Sequence, residues 1–291
     1  MKISFIVLTY NRANALLAVL RALAAQCTAD HEVVIADDGS NAAQIELLLS
    51  NCPQFACPVQ HVWHPDTGFT ASAARNLGAH NSRGDYLVFL DGDCVPGRSF
   101  VAEHRRIAEQ GYFVNGSRVL LSDRLTTRVL MQSIDLTHQC AVFWLKARLT
   151  GDSNKMLHVL GWPWRLFRVE QGFRWNGIRS CNFALWRHDF EAVNGFDETF
   201  EGWGHEDADL VLRLNHLGLM RKNGFLATEV FHLWHPESRR DQEALNRQKV
   251  TQRMQTRLVL AEKGLNQISP DDSVRVTPLN QVGSLLHSQI S

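Results

Sequence analysis

The stretch YLVFLDGDCVP, Tyr86 to Pro96, decides the fold. Its unbroken apolar start reads as a strand buried on both faces, because a strand with one solvated face would alternate. The run ends in two acids separated by a glycine, which relaxes the backbone enough for Asp91 and Asp93 to turn toward one point. Two hard oxygen donors there suit Mg²⁺ or Mn²⁺ held jointly with substrate phosphates. A bare DxD also occurs in solvated turns, so its meaning depends on its surroundings.

The same pattern recurs upstream. ISFIVLT (3–9) is a continuous apolar and β-branched run, followed by Asn11 at an N-cap position and a helix through Leu16, Leu17, Leu20 and Leu23. EVVIADDGS is a second buried strand ending in acids, with a helix through Ile45, Leu48 and Leu49 after it. VQHVWH reads as a third strand, and TASAARNLGAHNSRG as a small-residue helix closed by Gly84. Strands alternating with helices imply right-handed crossovers and a mainly parallel α/β sheet. Ligands bind such sheets outside the carboxyl ends of the strands, where strand order reverses. Thr9, Tyr10 and Asn11, then Asp37 and Asp38, then Asp91 and Asp93 all fall at strand ends and are expected to converge there.

The 291 residues, 45% of them hydrophobic, can bury one large core. Thirty Lys and Arg balance thirty Asp and Glu, so the overall field that drives sequence-independent nucleic-acid binding is missing. The six cysteines, Cys27, Cys52, Cys57, Cys94, Cys140 and Cys181, form no CxxC pair and fit reduced thiols in a cytoplasmic protein. The N-terminus reads as a strand rather than a signal peptide. No apolar stretch reaches the ~18 residues of a spanning helix, which leaves peripheral contact as the expected mode of membrane association.

Beyond Gly111 the alternation weakens. Helical pattern is expected from Thr126 to Leu149, in HEDADLVLRLNHLG and over 238–262, with a strand in GFLATEVFHLWHPE and a loosely held tail over the last two dozen residues. His232 and His235 are candidates for a third metal ligand, and an imidazole would favour Mn²⁺ over Mg²⁺. In GWGHEDADL the acids Glu206, Asp207 and Asp209 suit the first turn of a helix on capping grounds alone. Two glycines and Trp203 just before them also suit a sugar stacked on the indole, beside a carboxylate able to act as general base.

Together ISFIVLTYNR, HEVVIADDGS, TASAARNLGA, YLVFLDGDCVP, SCNFALWRHDFEAVNGFDETFEGWGHEDADLVLRL and FHLWHP resemble a nucleotide-sugar glycosyltransferase of the GT-A fold. The similarity is to family 2 enzymes whose carboxyl-terminal half is of the galactosyltransferase and chondroitin-polymerase type. It runs over roughly residues 1–237, poorly between about 112 and 175. The resemblance implies a nucleotide-sugar-binding half (1–110), an acceptor-binding and catalytic half of the same domain (111–265) and a tail (266–291). It implies that Thr9, Tyr10 and Arg12 line the nucleotide pocket and that Asp38, or Asp37, holds the uracil or ribose. Arg75 and Asn76 would close over the base and the strand-end acids. Asp93 would ligate the metal directly, Asp91 would touch the ribose or the ion, and His235 is favoured over His232. Asp207 would be the base of an inverting reaction, Glu206 would hold acceptor or donor hydroxyls, and Asn182 would lie beside the donor sugar. The implied activity moves a hexose or N-acetylhexosamine from a UDP-sugar to a saccharide or lipid-linked acceptor in surface-glycan synthesis, in the cytoplasm or at the inner face of the membrane. The family's third glycine, in GWGGED, is replaced here by His205, which is expected either beside the acceptor or metal or in solvent at the helix start.

The segment 161–187 interleaves Trp162, Trp164, Trp175 and Trp186 with Arg165, Arg168, Arg174, Arg179 and Arg187. It reads either as an acceptor platform or as core in which arginine stems cover indoles. Two rival functions remain. A nucleotidyltransferase would need a glycine-rich loop, which VLTYNRANALL lacks, and a noncatalytic sugar-binding protein would have no need of Asp91, Asp93, Asp207 and His235 together.

Overall fold

The structure, a computed structural model, describes residues 1–156, 168–170, 172–175, 177–236, 240–269 and 271–279. Strands β1 (Ile3–Thr9), β2 (His31–Asp37), β3 (Val59–Trp63) and β4 (Tyr86–Asp91) are parallel and lie in the order β3-β2-β1-β4. The chain works outward from β1 to β3, then crosses back to place β4 on the other side of β1. Strand order therefore reverses between β1 and β4, which end at Thr9 and Asp91.

Alternation along the buried strands divides the core in two. Ile3, Phe5 and Val7 of β1 pack with Leu16, Leu20 and Leu23 of α1 (Ala13–Ala24). Ile6, on the opposite face, belongs with Phe89 of β4 and with Leu210 and Leu214 of α8 (Glu206–His216). Full burial of each such side chain contributes about 1.5–3 kcal/mol. Helices α2 (Ala42–Asn51) and α3 (Ala71–His80) complete the first crossovers.

After β4 the chain crosses into a second, three-stranded sheet, β5-β11-β7, formed by Cys94–Pro96, Glu229–His232 and Ser117–Leu120. The large sheet continues past β4 with β9 (Asn182–Trp186), β6 (Tyr112–Asn115), β10 (Met220–Asn223) and β8 (Val169–Glu170). Because β9 is antiparallel to both β4 and β6, the complete sheet is mixed around a parallel centre. Helices α4 (Phe100–Ile107) and α7 (Arg187–Ala192) follow β5 and β9.

Several local expectations are corrected. The pattern over Thr126–Leu149 is two helices, α5 (Asp123–Leu130) and α6 (Ala141–Leu149), separated by a break in which Gln132 has a positive φ and Asp135 caps a short turn. Asn11 does not cap α1. It sits at φ 49° and its side chain accepts the Asn41 N–H (2.8 Å), joining two loops, while Arg12 holds the cap position. Helix α3 ends at His80, and Gly84 instead presses against Ser4, where a Cβ would come within 2.3 Å of the hydroxyl. The helix expected over 238–262 is observed as α9 (Glu243–Arg253). In the tail, Arg275–Pro278 forms β12, antiparallel to β3 at the sheet edge. All four of its residues are exposed, so no buried face marked it in the sequence.

Candidate active site

The DGD stretch is the pivot between the two sheets. Asp91 ends β4 in the large sheet, and three residues later Cys94 begins β5 in the small one. At the pivot the Gly92 N–H donates to the Leu8 carbonyl at 2.7 Å, and a Cβ at Gly92 would stand 2.7 Å from that same oxygen. Only glycine lets the turn lie this close to β1.

Small-sheet register explains why distant histidines reach these acids. Cys94 pairs with His232 across β5 and β11, and the Leu233 N–H donates to the Asp93 carbonyl at 2.8 Å. The His235 Nε2 lies 3.2 Å from Asp93 Oδ2, and the His232 Nε2 3.8 Å from Oδ1. The carboxylate thus stands between two imidazoles, with Arg12 donating to Oδ2 at 2.7 Å. Burial alone would raise Asp93, but the bond to His235 and the fields of His232 and Arg12 hold it below the usual carboxylate range. Asp93 in return raises His235, whereas burial lowers His232. Ligand atoms of Asp93, His232 and Cys94 lie within 4.8 Å of one another. Cys94 was not anticipated; it follows the motif directly, but nothing in the sequence sets its thiol apart from a core side chain.

Asp91 is pushed up by burial, opposed by Arg75, whose Nη2 donates to its Oδ1 at 2.9 Å. Arg75 is itself buried and donates through Nη1 to Glu206 Oε1 at 3.2 Å. One guanidinium therefore spans the end of β4 and the start of α8. There the Ser180 hydroxyl donates to Glu206 at 3.3 Å, and the Ser180 N–H to Asp207 Oδ2 at 3.2 Å. Asp207 also accepts the Ala208 N–H, yet burial and the neighbouring Glu206 charge raise it to about 7. A base poised there is well matched to removing a proton from a hydroxyl near neutrality. Ser180 was missed, although it opens the quoted SCNFAL motif.

Other expected residues fall elsewhere. Thr9 is buried at the end of β1, and Tyr10 is 46% exposed with its hydroxyl donating to Asp66 at 2.9 Å. Asp37 is internal, with one carboxylate oxygen taking the Ser40 N–H (2.8 Å) and the other meeting His61 Nε2 (2.8 Å). Asp38 accepts the Thr70 N–H at 3.0 Å and faces His64 Nε2 at 3.2 Å. Asn76 does not close over a base. It is fully buried and brackets Phe196, accepting that residue's N–H (2.9 Å) and donating to its carbonyl (2.8 Å). Asn182 is likewise turned inward, bonded to the carbonyls of Ser117 and Thr228 and to His104, and it fills the space a Cβ at Gly116 would need. Trp203 carries Arg240 over its ring at 4.6 Å.

His205 is neither in solvent nor on the strand-end acids. Its ring meets Trp175 edge-on at 5.2 Å, and its backbone caps α8 at φ 71°. That left-handed conformation is what the glycine of GWGGED adopts freely, whereas a histidine there is strained. Trp162, Trp164 and Arg165 lie outside the described residues. Within the rest of that segment, Arg187 is a structural brace, donating to the carbonyls of Gly84 (2.6 Å) and Ala79 (3.1 Å).

A parallel centre, a reversal at β1 and β4, and acids at both strand end and helix start define the GT-A class of nucleotide-diphosphosugar folds. Comparisons with known proteins agree. The glycosyl transferase family 2 pattern matches residues 4–187, and that of the N-terminal domain of galactosyltransferase matches 168–235. The chain belongs to glycosyl transferase family 2. It is 30% identical over 235 residues to a validoxylamine A glucosyltransferase of Streptomyces hygroscopicus subsp. jinggangensis, covering 75% of this chain and 52% of that protein. A chondroitin synthase of Pasteurella multocida is 28% identical over 238 residues, covering 73% of this chain and 23% of the synthase. The chain thus spans about half the length of the glucosyltransferase and about a quarter of the synthase. Among solved structures, S. aureus TarS 1-349 in complex with UDP-GlcNAc has a TM-score of 0.56 at 13% identity, covering 91% of this chain and 69% of that one. Among the described residues no helix is long and apolar enough to cross a membrane.

Proposed function

We infer that the protein is an inverting glycosyltransferase that moves a hexose or N-acetylhexosamine from a UDP-sugar to a hydroxyl of a saccharide or lipid-linked acceptor. The observation that carries this reading is Arg75, bonded to Asp91 at the strand end and to Glu206 beside Asp207. It sets a carboxylate able to accept a proton opposite the acids suited to a sugar diphosphate. The names of the relatives support the donor class, a glucosyltransferase in one case and a UDP-GlcNAc complex in another.

In this reading residues 1–110 hold the donor and residues 111–265 the acceptor. Thr9, Tyr10, Arg12 and Asp38 line the nucleotide side, while Asp37, Asn76 and Asn182 build the walls behind it. The donor set of one carboxylate and two imidazoles fits a divalent ion, with Mn²⁺ favoured over Mg²⁺. Asp93, with His235 or His232 and with Asp91 nearby, would hold it, and when bound it supplies positive charge to the departing diphosphate. Asp207 takes the proton of the acceptor hydroxyl. That oxygen forms the new bond to the anomeric carbon as the carbon–phosphate-oxygen bond breaks on the opposite face, so configuration inverts. Glu206, fixed by Arg75 and Ser180, is positioned for sugar hydroxyls. Contact with the inner face of a membrane goes with a lipid-linked acceptor.

The test is a thermal-shift comparison of UDP, GDP, CMP and dTDP, each with Mn²⁺ and with EDTA, followed by turnover of the stabilising donor class. UDP is expected to raise the Tm, with EDTA removing the rise. Asp207→Asn should lower turnover by about 10²–10⁴-fold and keep the UDP shift. Loss of the shift in that variant assigns Asp207 a structural role, and no shift with any nucleotide in the wild type returns the chain to a noncatalytic reading.

A further inference from the structure

Helix α6 is apolar on two opposite faces, and only one of them is covered. On the inner face Trp144 and Ala147 are buried, and the Trp144 ring stacks at 4.6 Å on Phe231 of β11, one residue before His232. On the outer face Val142, Leu145 and Leu149, spaced i, i+3 and i+7, form one stripe and are 73%, 44% and 78% exposed. Among the described residues no other helix exposes more than one large apolar side chain within its bounds. Single exposed leucines are ordinary, whereas an aligned stripe marks a surface that meets something.

The charge beside the stripe has one sign. Helix α6 carries Lys146 and Arg148, both exposed, and no acid. On the helical wheel Lys146 falls on one side of the apolar stripe and Arg148 on the other. Three acids lie between residues 120 and 155. Asp152 is bonded by Arg124 and by the Ser122 hydroxyl, at 2.6 Å each, and Asp135 by Thr137 and His138. The third, Asp123, is in the first turn of α5.

We propose that the outer face of α6 docks on a bilayer surface carrying anionic lipid. Val142, Leu145 and Leu149 enter the acyl boundary, while the stems of Lys146 and Arg148 reach up to the headgroup phosphates. Charge selects this occupant over a second copy of the chain. A two-fold contact would bring the stripe against itself, with Lys146 and Arg148 facing the same cations and no acid on either helix to pair them. The docking needs only this face. Its use, which is to hold the site beside a lipid-linked acceptor, rests on the transferase reading above.

Cys140, at the N-cap of α6, is the exposed cysteine of the six and accepts a label. The full chain, carrying an environment-sensitive fluorophore there, is titrated with phosphatidylglycerol and with phosphatidylcholine vesicles at low and at high salt. Cosedimentation of the unlabelled chain checks that the label is not the anchor. Binding to phosphatidylglycerol is expected, with a blue shift of the fluorophore and an affinity that falls as salt rises. Val142→Ser/Leu145→Ser/Leu149→Ser should weaken it at least tenfold. Lys146→Gln/Arg148→Gln should weaken it about tenfold and flatten the salt dependence. Both variants should keep the UDP-induced Tm rise, and if the triple variant does not fold the charge variant carries the test. No binding to phosphatidylglycerol by a wild type that still responds to UDP overturns the inference and spares the transferase. Equal binding to phosphatidylcholine overturns the anionic partner, and a dimer that the triple variant dissolves gives the face to a second copy. Salt-sensitive docking without any UDP response supports the inference and removes the transferase reading instead.

Discussion

Two acidic strand ends, DDG after β2 and DGD after β4, look nearly interchangeable in the sequence and have opposite fates in the fold. At the first, Asp37 and Asp38 are consumed by their own neighbourhood, with Ser40, His61, Thr70 and His64 as partners. At the second, Asp93 is met by side chains from a different sheet and from the loop after β1. The glycines explain the difference. Gly39 follows its acids at φ 95° and folds the loop back against the Asp66 backbone, enclosing the carboxylates. Gly92 lies between its acids and carries the chain out of one sheet into another, so the second carboxylate lands at the seam between them.

The comparison is broken or sharpened by substitution. Asp93→Ala is expected to cost the largest amount, about 10³-fold or more in turnover, with the Mn²⁺-dependent UDP shift lost and the fold retained. If Asp37→Ala does the same in the same assay, the two strand ends are not different in kind.

A pH profile extends the comparison to the third acid pair. Asp207 is raised to about 7, and a base must be ionised to accept a proton, so activity is present above that value and lost below it. Turnover should fall about tenfold per pH unit on the acid side of 7 and level off above. An activity flat from pH 5 to 8 would remove Asp207 from the reaction.

Smaller effects fall on stability. Gly92→Ala forces the Leu8 carbonyl to give way and should cost about 1–3 kcal/mol in urea unfolding, with turnover impaired as the pivot shifts. Asp37→Ala orphans the Ser40 N–H and the His61 ring and should also cost about 1–3 kcal/mol. Its turnover per folded molecule should stay near wild type, and a large kinetic loss would bring Asp37 back to the ligand.

What the sequence disclosed follows burial. β1, β2 and β4 are covered on both faces, so each carries a continuous apolar run, and the helices between the first strands carry apolar stripes. β5 and β7 are three and four residues long, and β12 is exposed throughout, so none of these leaves a pattern, whereas β11 was expected within GFLATEVFHLWHPE. Yet that small sheet brings His232 and His235 to Asp93. Positions were legible where a motif coincides with an element end, as for Asp91 at the end of β4, Asp93 just beyond it and Asp207 in the first turn of α8. They were misread at Asn76 and Asn182, because a polar side chain that satisfies buried backbone looks, in a sequence, the same as one that faces a ligand. Only the fold supplies the direction in which it points.

Arg75 carries a consequence for assembly of the reacting groups. It is enclosed by the protein, has Phe196 under its guanidinium at 5.3 Å, and holds an acid from each half of the molecule. A planar cation with no freedom to swing behaves as a gauge block: the gap between the two acids is cut to length during folding. On the proposed transferase reading, substrates then enter a span already at its working dimension, and binding energy that would go into drawing the two acids together stays available for the reaction.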